Sequence, residues 1–539
     1  MNISTATARE IARECVRLGM KHVVVCPGSR SAPLTYAFAE LDRQGITTAH
    51  VRIDERSAGF LALGIAKGLR AQQVPGPVGV VTTSGTAVLN LGPAIAEAAY
   101  SHVPIVALTA DRPARLRATG ANQTLDDQSR DLPEVMAAYD VPAGEPAPVA
   151  DALAVAMGEA GLPGPVLLNV QFDVPLVPEA TDFPWDVPRE RPTILHAQPR
   201  EQDIQALADA LDALKKPGTV AVVGDCSGFD DSHGVVRGML AGVPVFAEPT
   251  SALIDMSVPV PHRVLDARGW DDVTTVVQYG KVTLFRPTAK LLAQRPVFTI
   301  PLNAEWWPEE ALERARALGE ERSGTGADGA DGSTEAGHEL RLKFWGNQPT
   351  ELSVAESIVS TIAAGSSHML VGSSNAVRYL ANVPPTGCYI HASRGLAGID
   401  GLISTGIGIA KAGQNQQLNN PSGAPHSRHV DPLAIVIGDV TALHDIGGLL
   451  LETGENLPPV QIFILNDDGG SIFAGLEHGQ SHLAPYFDRF FATRHGRNFD
   501  HLATAYGWPY RYINTMSDLH AAVDGKQPGV YEVALTAGE

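Results

Sequence analysis

Two acidic positions near the end of the chain carry the clearest chemistry. An apolar β-branched run, Ile435-Val436-Ile437, ends in Gly438-Asp439. A small-residue segment from Ala442 to Glu455 follows, then Pro458-Pro459 and a second apolar run, Val460 to Leu465. That run leads into Asn466-Asp467-Asp468-Gly469-Gly470. The pattern predicts strand, crossover helix and parallel strand, with both polar ends at the carboxyl edge of one sheet. Open parallel sheets bind ligands at that edge. Asp439 and Asp467 offer hard oxygen donors, and Gly469 lets a backbone carbonyl approach closely. Such a set suits Mg²⁺, which prefers octahedral oxygen and commonly shares its sphere with phosphates. Each motif alone also reads as a turn or a helix cap. Their placement at the two ends of one βαβ unit favours a metal–diphosphate site. Neighbouring strand residues face opposite sides, so only one of Asn466 and Asp467 is expected to meet the ion.

A second set of candidates lies near the start. His22 to Cys26 predicts a buried strand that stops at Pro27-Gly28-Ser29-Arg30 and enters a helix. The free N–H groups of such a turn suit an anion, and Arg30 is placed for a bidentate carboxylate contact. Thr47 to Ile53 predicts a strand with Asp54-Glu55-Arg56 at its end, followed by a helix of small residues from Ser57. Glu55 reads as a cap or dipole partner, or, against its small apolar neighbours, as a proton donor to a ligand. Val78 to Val81 runs into Thr82-Thr83-Ser84-Gly85-Thr86. Val103 to Leu108 ends in Thr109-Ala110-Asp111-Arg112-Pro113, and the loop beyond carries the amide pair Asn122-Gln123. This block echoes residues 435–470 in architecture, which predicts two similarly wound α/β domains at opposite ends of the chain.

The elements that position these residues read as α/β throughout. The expectation is three domains, each a doubly wound, mostly parallel sheet flanked by helices: 1–180, 201–318 and 349–539. A proline-rich linker, 181–200, and a Gly/Ser/Asp-rich segment, 319–348, separate them. In the third domain Gly372-Ser373-Ser374 follows a strand, Arg378 sits on the next helix, and Ser393-Arg394-Gly395 follows another strand. Gly280 to Arg286 is a basic stretch of the central domain, and 413–429 is a polar insertion. A net charge of −20 over 539 residues argues against nucleic-acid or anionic-membrane partners. Four scattered cysteines without metal spacing suggest a reducing compartment. No apolar run is long enough to span a bilayer, so a cytoplasmic protein is expected.

With these motifs assembled, the chain resembles, over nearly its whole length, the 2-succinyl-5-enolpyruvyl-6-hydroxy-3-cyclohexene-1-carboxylate (SEPHCHC) synthase family of menaquinone biosynthesis. That family lies within the thiamine-diphosphate enzymes. The most specific pieces are Pro27-Gly28-Ser29-Arg30-Ser31-Ala32-Pro33-Leu34, Asp54-Glu55-Arg56, Thr83-Ser84-Gly85-Thr86-Ala87 and Thr109-Ala110-Asp111-Arg112-Pro113. Gly120-Ala121-Asn122-Gln123, Ser393-Arg394-Gly395, Gly398-Ile399-Asp400-Gly401 and the metal motif complete them.

The resemblance implies a pyrimidine-binding domain, a central domain and a diphosphate-binding domain, in that order. It implies thiamine diphosphate with Mg²⁺ (Mn²⁺ as the alternative ion), held by Asp439, Asp467 and the Gly469 carbonyl. Ser84, Gly85, Ile399, Ile472 and Phe473 would contact the cofactor, and Glu55 would bond its aminopyrimidine N1′. Each site would lie between subunits of a homodimer or homotetramer. The reaction implied is decarboxylation of 2-oxoglutarate and 1,4-addition of the succinyl carbanion equivalent to isochorismate. Glu55, Gln123 and Arg394 would be catalytic; Ser29, Arg30, Arg112, Asn122, Gln123, Arg286, Ser374, Arg378 and Arg394 would bind substrate. One departure stands out: the family often carries Asn where this chain has Asp467, which adds a negative charge beside a diphosphate. Two rivals remain, an acetolactate-synthase-like 2-oxoacid decarboxylase or carboligase, and an α/β protein that only binds a metabolite.

Overall fold

Among the described residues the apolar runs form sixteen strands in three sheets, and every strand pair within them is parallel. The computed structural model describes residues 1–159, 161–185, 187, 200–226, 231–258, 261–262, 265, 272–302, 307–323, 352–383, 386–414 and 431–535. Most of the 181–200 linker, the 319–348 segment beyond Ser323 and the 413–429 insertion from 415 onward lie outside the described residues.

The first sheet contains β1 (His22–Val25), β2 (Thr48–Val51), β3 (Val78–Thr82), β4 (Ile105–Asp111), β5 (Ala137–Val141) and β6 (Val166–Gln171). The second contains β7 (Thr219–Val223), β8 (Val245–Ala247), β9 (Thr275–Tyr279) and β10 (Val297–Ile300). The third contains β11 (His368–Val371), β12 (Tyr389–His391), β13 (Leu433–Gly438), β14 (Val460–Asn466), β15 (Tyr510–Ile513) and β16 (Gly529–Ala534). The central strands are buried on both faces, as continuous Val/Ile/Leu runs in parallel sheets require.

The first sheet has the order β2-β1-β3-β4-β6-β5 and the third β12-β11-β13-β14-β16-β15. These are one winding used twice. Strand order reverses beside β1 and again beside β11, which makes the carboxyl ends of β1, β3, β11 and β13 the natural places for ligand contacts. The central sheet runs β10-β9-β7-β8.

Two helices join the first and third sheets: α1 (Glu55–Ala71) and α3 (Leu402–Gln414). Their glycines allow backbone-to-backbone contact, since a Cβ on Gly64 would lie 2.0 Å from the Thr405 carbonyl oxygen. One continuous core therefore holds Val24, Val78 and Ile105 together with Leu370, Ile435 and Ile462. Between them in sequence lies α2 (Gly92–Tyr100). The central sheet has its own cores.

The predicted crossover helix over Ala442–Glu455 is not what forms. Instead α4 (Asp439–His444) gives way to a 3₁₀ turn, Ile446–Leu449. Gly447-Gly448 breaks the helix, and Gly448 packs where a Cβ would meet Ser404 Oγ at 2.5 Å. Asp445 fixes the break by accepting from Ser404 N and Oγ.

Candidate active site

Asp439 begins α4 at the end of β13 and is 1% exposed. Its Oδ1 accepts from Val440 N (2.6 Å), and its Oδ2 accepts from Gly469 N (2.8 Å). The loop after β14 is thus tied to the end of β13. Asn466, the last residue of β14, turns away: its Nδ2 donates to Glu532 Oε1 (2.7 Å) on β16. Asp467 turns toward Asp439. Burial raises the Asp467 pKa, the Ser471 hydroxyl opposes that, and the Asp439 charge adds to it. Ser471 Oγ donates to Asp467 Oδ2 and accepts from Asn375 Nδ2 (2.9 Å), which links the loop to the turn after β11.

The residues fit a divalent cation and a diphosphate. The two carboxylates lie near enough at one sheet edge that the Asp439 charge raises the Asp467 pKa, a cost that a cation removes. Gly469 sits at φ +128°, and a Cβ there would lie 2.2 Å from the Ala492 carbonyl oxygen, so the close loop approach needs glycine. Ser373 Oγ and Ser393 Oγ, beyond the ends of β11 and β12, are buried hydroxyls without a partner among the described residues. Among the described residues no three His, Cys, Asp or Glu side chains form a closed cage. A metal here would therefore take a backbone carbonyl and ligand oxygens to complete its shell, as Mg²⁺ does. Sequence patterns gave no hint of His495, whose Nε2 lies 3.0 Å from Asp439 Oδ2.

Glu55 is the first residue of α1 and is half-buried. Asp54 caps the helix by accepting from Arg56 N (2.9 Å). Arg56 Nη2 donates to His444 O (2.8 Å), so the start of α1 rests on the end of the helix that Asp439 begins.

The remaining candidates fall into two groups. On the first sheet, Arg112 Nη1 donates to Ser84 Oγ (2.7 Å) and to Gln123 O (2.8 Å). Gly85 adopts φ +77° and donates to Gln128 Oε1 (2.8 Å). Arg30 anchors one nitrogen on Phe172 O (2.8 Å), while its buried Nε has no partner among the described residues. Burial and then the nearby Arg112 lower the Arg30 pKa. Ser29, Asn122 and Gln123 are exposed beside them.

On the third sheet, Ser374 (φ +70°) accepts from Arg378 Nη1 (2.7 Å). Arg394 is 4% exposed and donates Nε and Nη2 to Thr283 Oγ1 of the central domain (3.1 and 2.7 Å). Burial, Arg394 and Arg286 lower the Arg378 pKa, so these three cations share one region. Arg286 is exposed and pairs with Glu477. Ile399, Ile472 and Phe473 are half-buried, and Phe473 packs edge-on against Phe491 with centroids 5.9 Å apart.

Comparison with known proteins bears on the family and the fold. Residues 5–130 match the family described as thiamine pyrophosphate enzyme, N-terminal TPP binding domain. The fold resembles that of benzoylformate decarboxylase from Polynucleobacter necessarius, with a TM-score of 0.65, 15% identity and 98% of each chain covered. The chain is 37% identical over 577 residues to the 2-succinyl-5-enolpyruvyl-6-hydroxy-3-cyclohexene-1-carboxylate synthase of Kineococcus radiotolerans, covering 99% of this chain and 96% of that protein. It is 38% identical over 543 residues to the enzyme of the same name from Paenarthrobacter aurescens, covering 95% and 90%. Likeness at that level over the full length, on a thiamine-diphosphate enzyme fold, shows that the chain belongs to the SEPHCHC synthase family.

Proposed function

We propose that this chain decarboxylates 2-oxoglutarate on thiamine diphosphate and joins the remaining four-carbon unit to isochorismate by 1,4-addition, a step of menaquinone biosynthesis. The observation that carries the reading is the pair of arginine groups at the strand ends. Arg30 and Arg112 stand on the first sheet, Arg378 and Arg394 on the third, and Arg286 of the central domain lies near the latter pair. A protein of net charge −20 concentrates guanidinium groups in this way to hold dicarboxylates.

Thiamine diphosphate supplies, when bound, the electron sink that lets a 2-oxoacid lose CO₂. Asp439, Asp467 and the Gly469 carbonyl would hold Mg²⁺, or Mn²⁺ in its place, against the diphosphate. Glu55 would hold a proton at N1′ of the aminopyrimidine. Ile399 would support the cofactor from below, Ser84 and Gly85 would line its pocket, and Ile472 and Phe473 would exclude water from it. Arg30, Arg112, Asn122, Gln123 and Ser29 would orient one face of the substrates. Ser374, Arg378, Arg394 and Arg286 would take the other. We take 1–180 as the pyrimidine-binding domain and 349–539 as the diphosphate-binding domain.

A site shared between subunits of a homodimer or homotetramer is favoured by the apolar surface beside Glu55, where Ile53 is 72% exposed. Among the described residues no helix is long and apolar enough to cross a membrane. Highly charged substrates of this kind favour the cytoplasm.

The test supplies the protein with thiamine diphosphate and Mg²⁺ and compares 2-oxoglutarate plus isochorismate against pyruvate alone. CO₂ release and adduct formation with the first pair only are expected. Turnover of pyruvate alone would favour an acetolactate-synthase-like carboligase instead.

A further inference from the structure

The two helices at the centre of the molecule share a tetrapeptide. Gly64-Ile65-Ala66-Lys67 in α1 recurs as Gly408-Ile409-Ala410-Lys411 in α3. The glycines make equivalent close contacts: a Cβ on Gly64 would sit 2.0 Å from Thr405 O, and one on Gly408 would sit 2.3 Å from Leu61 O. The strands repeat the correspondence. His22 opens β1 and lies 3.2 Å from His50 on β2, as His368 opens β11 and lies 3.2 Å from His391 on β12. Both lysines are therefore placed alike, one in each half, and both are buried.

Each lysine works with a glutamate of its own half upon the other half. Lys67 Nζ donates to Ala392 O (2.6 Å) and lies 4.0 Å from Glu97 on α2. The two oxygens of Glu97 accept from Gly395 N (2.8 Å) and Leu396 N (2.6 Å). These three backbone groups surround Arg394. Gly395 makes the approach possible, because a Cβ there would lie 2.9 Å from the Glu97 carboxyl carbon. In the other direction, Lys411 pairs with Glu455. Glu455 takes both terminal nitrogens of Arg52 (2.9 and 3.1 Å), three residues before Glu55, and Glu452 accepts from Val51 N (3.1 Å). Arg52 in turn donates to Val51 O (2.6 Å).

We propose that Lys67–Glu97 and Lys411–Glu455 are a duplicated positioning device. Each fixes the strand-exit turn of the opposite half that presents a functional group, the substrate-holding Arg394 in one direction and the proton-holding Glu55 in the other. The proposal rests on the roles given above to those two residues. Glu97 also accepts from Ser101 Oγ (2.7 Å), and Glu455 from Glu452 N (3.1 Å), so both carboxylates are taken up by protein donors. A bidentate carboxylate on two adjacent amides fixes a turn more firmly than one neutral hydrogen bond. Misplacement by an ångström at such a turn can cost about a hundredfold in rate.

The test uses the full-length protein with Glu97→Gln and Lys67→Met on one side, and Glu455→Gln and Lys411→Met on the other. Lys67→Arg and Lys411→Arg serve as conservative rescues. Amide hydrogen exchange without cofactor is the first readout. Glu97→Gln is expected to speed exchange in 393–397 and leave 51–56 unchanged, and Glu455→Gln to do the reverse. Kinetics are the second. The Glu97 side should raise KM for the substrate pair by about tenfold or more with kcat nearly kept. The Glu455 side should lower kcat and slow exchange of the cofactor C2 proton with KM nearly kept. Variants that disturb both turns equally, or neither, would overturn the proposal. Arg394→Ala and Glu55→Gln run alongside keep the two ideas apart. If those two variants leave catalysis intact, the roles given to Arg394 and Glu55 fail, whatever the exchange data say of the turns.

Discussion

The backbone N–H of Gly469 donates to Asp439 Oδ2 over 2.8 Å, which holds the loop after β14 against the end of β13. Two strand ends that are 30 residues apart in sequence thereby form one cradle. Gly469→Ala would place a Cβ on a residue at φ +128° and 2.2 Å from Ala492 O. The variant should lose about 1–3 kcal/mol of stability and most of its affinity for the cofactor. Denaturant unfolding and a thiamine-diphosphate titration check both parts.

If Asp467 holds the metal as proposed, it sets how strongly the cofactor depends on that metal. Its half-buried carboxylate feels the Asp439 charge, so without a cation two negative charges would face a bound diphosphate. Thiamine-diphosphate affinity with and without Mg²⁺, in wild type and in Asp467→Asn, is the measurement. The wild type should lose more affinity on chelation than the variant. Equal metal dependence would remove Asp467 from the metal shell.

Glu248 gives the fold a pH-dependent weakness. Burial pushes its carboxyl up to about 7 from the ordinary 4.5, against the lowering effect of the Leu284 and Thr283 amides. Both amides donate to Oε1, while Oε2 is buried without a partner among the described residues. A raised carboxyl favours the folded state fully below its unfolded pKa and loses that contribution as the pH rises through the folded one. Glu248→Gln keeps the Oε1 acceptor and removes the titration. It should match wild-type stability near pH 4 and exceed it at pH 8 by on the order of 2 kcal/mol. Unfolding midpoints across that range provide the check.

The contact of α1 with α3 tolerates no side chain at Gly64. Gly64→Ala should cost about 1–3 kcal/mol through overpacking against the Thr405 backbone. Gly92→Ala, where a Cβ meets nothing within 4 Å, is the control and should stay within about 0.5 kcal/mol of wild type.

Much of this was readable from the residues, and the exceptions have physical causes. Apolar runs such as Val460–Leu465 announce buried parallel strands, and the echo of residues 78–113 in 435–470 becomes the same strand order in two sheets. Alternation along β14 separates Asn466 from Asp467, and Glu532 on β16 engages the Asn466 side chain. The crossover helix was misjudged because small residues favour helix locally, whereas Gly447-Gly448 obeys its packing on Ser404. Glu97, Lys67 and His495 gave no signal, since their partners lie 298, 325 and 56 residues away and only folding assembles them.

The most direct test of the central claim is a comparison of Glu55→Gln with wild type in thiamine-diphosphate binding and in turnover of 2-oxoglutarate with isochorismate. The account predicts cofactor affinity within a few-fold of wild type and turnover lower by about a hundredfold or more. Turnover unchanged in Glu55→Gln would contradict it.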